Sequence, residues 1–210
     1  MYLEGEPMEK TRRTYISWQH DIRLLARDVR ELLTDFKFFM DFMDFAKGTW
    51  VAKERTHFFD WIRRCQAGCA IIGLRRICET EKPKTTEAKK QRKKKTSLHL
   101  FLGSIQDNYA LFAKLTNGTI SDAEVRNDYR DLPGRAKTIY EYASTVLAHR
   151  LRNPRPLARI LVPDFHGVLQ YIWSITHKYY EALTDTSFVT ETHTIPPWKH
   201  LFQKPWPAGS

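Results

Sequence analysis

The chain has 210 residues, 42% hydrophobic and 13% aromatic, enough apolar surface to bury a sizeable core of its own. That composition excludes a disordered protein, and no apolar run approaches the ~18 residues that a membrane-spanning helix needs. The net charge is +10, but Lys82–Lys95, KPKTTEAKKQRKKK, holds eight basic residues against one acidic, so +7 of it lies in one short stretch and +3 elsewhere.

In chain order, MYLEGEPMEK lacks the charged-then-apolar order of a secretory leader, which sets the expectation of a soluble, cytoplasmic protein with residues 1–14 as an N-terminal arm. From about Tyr15 to Ala46, apolar residues recur at three and four: Trp18, Ile22, Leu25, Val29, Leu32, Phe36, Phe39 and Met43. That spacing predicts one long amphipathic helix, with a break allowed near Thr34. FKFFMDFMDF is aromatic on more than one face, as deep burial or a contact with a second chain would require.

A second helix is expected from about Val51 to Glu79, with Phe58, Ile62, Cys65, Cys69, Ile72 and Arg76 on one stripe facing the core. Arg76 on the line of an apolar stripe must find carboxylate or carbonyl partners or else face a cleft. Cys65 and Cys69, at i and i+4, are half of a metal site at most. No second ligand pair completes it, so the preferred reading is of small apolar residues in a helix contact. The basic loop, 81–96, follows. It is read either as a flexible arm touching nucleic-acid phosphate through Arg92, Lys93, Lys94 and Lys95, or as a solvated insertion between helices.

Thr96-Ser97 can cap a third helix, Leu98 to Leu115, which Asn117-Gly118 stops. Ser121 with Glu124 three residues on has the form of a capping box and starts a short helix expected to end before Pro133. Another helix, from Pro133 to about Leu151, has Ala136, Ile139, Tyr140, Ala143, Val146 and Leu147 inward and places His149 on its flank with Tyr142 and Thr145. Arg150, Arg152 and, further into the link RNPRPLAR, Arg155 are the cations nearest to His149 in sequence. A last helix, Asp164 to Leu183, buries Phe165, Val168, Leu169, Ile172, Ile175, Tyr179 and Leu183, and 185–210 is read as an irregular C-terminal arm. No strand is predicted. The expected fold is all-α, an up-and-down bundle of about five to six helices within residues 15–184.

The order of a long helix, IIGLRRICE at 71–79, a variable polar loop, KTSLHLFLGSI at 95–105 and YASTVLAHR at 142–150 resembles the AbiU2-like branch of the HEPN superfamily over about residues 15–184. The resemblance implies a helical bundle, commonly a homodimer, that acts as a metal-independent ribonuclease or RNA-binding effector in bacterial phage defence or with an antitoxin partner. It needs no cofactor and no metal. The family's usual motif is an arginine followed, after four to six residues, by a histidine on one helix. Upstream of His149 the matching positions are Tyr142, Ala143 and Ser144, none of them cationic.

Transesterification by the RNA 2′-hydroxyl needs a proton acceptor tuned near neutral pH and a cation on the phosphate as charge develops. His149 suits the first role. Arg150, Arg152 or an arginine of a second subunit would have to supply the second, with Tyr142 and Thr145 holding the phosphate, and Arg152 and Arg155 are candidate nucleic-acid contacts. The other reading is a bundle without catalysis that serves as a dimeric interaction module. Elsewhere Arg13 with His20, Arg92 with His99 and Arg159 with His166 stand at the family's spacing, and the last straddles the start of the final helix. No phosphate-binding glycine loop or nucleophilic serine motif is present.

Overall fold

The computed structural model describes residues 5–47, 56–79, 96–142 and 162–186. These form six helices with no strand among the described residues: α1 Gly5–Lys47, α2 Thr56–Cys78, α3 Leu98–Asp107, α4 Tyr109–Leu115, α5 Asp122–Tyr142 and α6 Val162–Thr184. The all-α expectation holds. No described helix is long and apolar enough to cross a membrane.

α1 is the axis of the bundle. Its stripe Trp18, Ile22, Leu25 and Val29 is buried, as the three-and-four spacing requires. The helix runs unbroken past Thr34 and begins at Gly5, upstream of the apolar-periodic stretch. α6 lies antiparallel on it. Tyr15 Oη and Gln19 Nε2 both donate to the Leu183 carbonyl, at 3.1 and 2.7 Å, and at the far end Phe36 packs on Phe165 with ring centroids 5.1 Å apart. Every residue that the sequence placed inward on α6 is buried except the half-buried Val168.

α2 also runs antiparallel to α1, with Arg76 beside Asp28 and Gly73 against Leu32. Here the predicted inward stripe is wrong. Ile71, Leu74, Ile77 and Cys78 are the buried residues, whereas Cys65, Cys69, Ile72 and Arg76 are exposed. AIIGL carries apolar residues on two sides of the helix, and periodicity alone does not say which side meets α1 and α5. The cysteines at 65 and 69 are therefore exposed rather than buried in a helix contact among the described residues.

Ser97 caps α3 as expected, its hydroxyl accepting from Leu100 N at 3.3 Å while donating to the Glu79 carbonyl at 2.8 Å. One side chain thus starts α3 and joins it to Glu79, the residue that follows α2. The predicted third helix is two, α3 and α4, parted at Asn108, which closes α3 through its N–H to the Ile105 carbonyl. Asn117 and Gly118, both at positive φ (51° and 68°), end α4.

The capping box at Ser121 and Glu124 forms. Glu124 Oε2 accepts from both the N–H and the hydroxyl of Ser121, and these bonds hold its carboxyl below the usual carboxylate range. The two helices predicted on either side of Pro133 are one, α5, with Pro133 inside it. Proline lacks the N–H that would bond the Tyr129 carbonyl. The buried face Val125, Leu132, Ala136 and Ile139 continues across it, so burial, at about 1.5–3 kcal/mol per large side chain, outweighs the lost bond.

Candidate functional site

His149, Arg150, Arg152 and Arg155, with Arg92, Lys93, Lys94 and Lys95, lie outside the described residues. Tyr142 is the last residue of α5, and its side chain is likewise outside them. Arg76 is described. Its Nη2 stands 3.3 Å from Asp28 Oδ2 with the side chain 58% exposed, so its charge is met by a carboxylate on the surface of the α1–α2 pair rather than aimed into a cleft.

Of the other arginine–histidine spacings, Arg92 and Arg159 lie outside the described residues, and Arg13 with His20 is the pair described at both members. Arg13 pairs with Glu9, one turn back on α1. His99 stacks on Tyr129, centroids 4.3 Å apart, where Tyr129 also closes over Gly103. His166 lies flat on Phe36 at 5.6 Å, interplanar angle 16°.

What the sequence reading missed is a polar cluster joining α5 to α6. Asp128 Oδ2 takes both the Lys178 ammonium, at 2.5 Å, and the hydroxyl of the buried Tyr179, at 3.1 Å. Burial, then the Asp128 charge and hydrogen bond, push the Tyr179 phenol far above its usual range. Tyr171, one face of which carries the Arg135 guanidinium at 5.2 Å, is pushed up to about 12, mostly by burial. Both phenols stay protonated at neutral pH, and this cluster is a lock between helices. Its signal in the sequence is only the pairing of α5 with α6, which one chain without its fold does not reveal.

Beside the lock, the end of α6, the α4–α5 turn and Tyr15 enclose a cleft of about 500 Å³. His177 lines it with Nδ1 3.4 Å from Glu181 Oε2, and Asn117, Thr119 and Asp185 complete its polar wall. Lys178, also in this wall, is engaged by Asp128. No group of three or more metal-ligating side chains occurs among the described residues.

The distribution of charge is more informative. The described residues carry 18 Lys and Arg against 19 Asp and Glu, a net of −1. Lys82–Lys95 holds net +7, and residues 143–161 hold four arginines and no acid. The described residues that precede the two stretches, Glu79 and Tyr142, both lie near the C-terminal half of α2. Residue 79 ends one turn past Arg75, and Arg75 accepts a 3.5 Å hydrogen bond from Tyr140, two residues before α5 ends. At 1.5 Å per residue, residues 79 and 142 are ~9 Å apart along the axis. Compared with protein families, with curated proteins and with solved structures, the chain matches none.

Proposed function

We propose that the protein is an RNA-binding effector of the HEPN type, working in bacterial defence or with an antitoxin, in which a charge-balanced helical bundle displays its cationic segments to RNA. The observation that carries this reading is the segregation of charge: net −1 over the described helices and caps, against net +7 in Lys82–Lys95 and four arginines in 143–161. A polyanion binds where phosphates can displace counterions, and only these two stretches offer clustered, unbalanced cations. Arg92 to Lys95, Arg152 and Arg155 then supply the phosphate contacts. RNA cleavage, where it occurs, runs through His149 as proton acceptor with Arg150 on the phosphate.

The test is binding of a labelled single-stranded RNA by the full chain and by a chain in which Lys82–Lys95 is replaced by a neutral linker. The proposal expects at least a tenfold loss of affinity. Equal affinity in the two chains contradicts it. Cleavage is tested separately in EDTA: loss in His149→Ala supports the catalytic assignment, and unchanged cleavage removes it. A bundle that binds RNA without cutting it keeps the first half of the reading alone.

A further inference from the structure

The three cysteines of the chain are of two kinds. Cys78 is buried with its thiol pushed up to about 12, which makes it an inert apolar contact. Cys65 and Cys69 are exposed free thiols, although cysteine is among the residue types most often buried. They stand one turn apart on α2, about 40° around the helix and ~6 Å along it, so both project from one side. Helix packing among the described residues does not account for them, and the RNA-binding reading does not use them.

The spacing decides what the pair can hold. Residues at i and i+4 of a helix have Cβ atoms ~5–6 Å apart, whereas a disulfide needs ~3.8 Å, so the two sulfurs cannot bond directly while the turn stays helical. A single atom between them fits. Metal–sulfur bonds of ~2.3 Å set the sulfurs of a linear S–metal–S unit ~4.6 Å apart, a separation that two Sγ atoms on those Cβ atoms reach by rotation about χ1. Zinc and iron–sulfur clusters take four ligands, and no group of three or more His, Cys, Asp and Glu side chains occurs among the described residues. Half of a tetrahedral site is the whole of a two-coordinate one. Soft thiolates select copper in its monovalent state, whose filled d shell accepts two ligands in a line.

We propose that Cys65 and Cys69 together hold one Cu(I) ion as a linear bis-thiolate on the exposed side of α2. Binding releases both thiol protons to solvent and leaves a unit with one negative charge, with no change of oxidation state in metal or sulfur. The turn between the two cysteines, Gln66-Ala67-Gly68, contains a glycine, which weakens a helix, and an ion bridging its ends keeps that turn closed. The inference does not rest on RNA binding, and either can fail without the other.

The test is an anaerobic titration of the reduced full chain with Cu(I) buffered by bicinchoninate, a chromophoric competitor. The chain should take one copper, found on single chains by native mass spectrometry, and X-ray absorption should show two sulfur neighbours and no nitrogen. Cys65→Ser and Cys69→Ser should each weaken binding by about a hundredfold or more, because a lone thiolate loses the effective concentration of the second, while the metal-free melting temperature holds. Moving one cysteine separates geometry from thiol count. Cys69→Ala with Ala67→Cys keeps two thiols but sets them about 200° apart around the helix, and should bind about tenfold or more weakly than the native pair. Copper held no more tightly than by the single-cysteine variants overturns the proposal, as does equal affinity in the moved pair, which would mean capture by any two nearby thiols. So do a copper shared between two chains and a four-coordinate zinc held through the same two cysteines.

Discussion

The two faces of α2 are built from the same kinds of residue and meet opposite surroundings. Ile71, Leu74 and Cys78 are all but inaccessible, while Ile72, next in sequence to Ile71, is 59% exposed with Cys65, Cys69 and Trp61 on its side. The difference teaches that apolar content does not identify the core face of a helix that has two apolar sides. The neighbours decide it. Leu32 lies close over Gly73, so this side of α2 meets α1, and the other apolar side is left outward.

The comparison is broken most forcefully by truncating one residue on each face. Leu74→Ala should cost about 2–5 kcal/mol, the range for a buried leucine whose site cannot collapse, and Ile72→Ala should stay within about 0.5 kcal/mol for the monomer. Chemical denaturation of both at low protein concentration measures the contrast. Equal losses would mean that the outward face is packed within the chain.

The polar counterpart of an inward anchor is Asp128. Replacing it with alanine leaves the buried Tyr179 hydroxyl without its acceptor and Lys178 without its counter-charge, for a loss of about 1–3 kcal/mol. Tyr179→Phe in the same background should then cost little, and a double-mutant cycle separates the hydroxyl from the ammonium.

A smaller effect, of opposite sign, is expected at Gly134. A methyl group there meets nothing within 4 Å, and the residue lies inside α5, so Gly134→Ala should stabilise by about 0.5–1 kcal/mol, read as a higher melting temperature. Gly73→Ala offers the same gain in helix propensity but must displace Leu32, so it should fall below Gly134→Ala in any ranking of the two.

The smallest effect belongs to the capping box. The Glu124 carboxyl is held below its ordinary value of 4.5 in the folded chain by the Ser121 bonds. Its contribution is therefore complete above that value and fades as pH falls through the lowered one. Glu124→Gln should flatten a slight fall in melting temperature on acidification from about pH 5 to pH 3 and leave neutral stability nearly unchanged.

Much of this architecture is legible in the residues. The Ser97 cap, the Asn117-Gly118 stop, the Ser121 box and the buried set of α6 are local signals or single-faced periodicities, and each appears where the sequence puts it. What could not be read depends on partners. Pro133 looks like a helix boundary until the face from Val125 to Ile139 is seen to pack on both sides of it, and Asn108 gives no composition signal for the break between α3 and α4. The orientation of α2 and the Asp128 lock come from helix pairings that a single chain does not announce. Of the candidate site, the sequence identified where positive charge is concentrated, and the fold adds that the described residues preceding the two basic stretches, Glu79 and Tyr142, lie near the same end of α2. Arg76, proposed for a cleft, instead meets Asp28 on the surface.

The most direct test of the account is the salt dependence of RNA affinity for the full chain and for the chain with Lys82–Lys95 replaced by a neutral linker. For single strands the logarithm of the binding constant falls with the logarithm of salt at about −0.7 per phosphate contact, so a basic stretch that engages RNA steepens the slope. The account predicts a steep slope for the full chain and a shallower one, by about two units or more, after replacement. Equal slopes and equal affinities would contradict it.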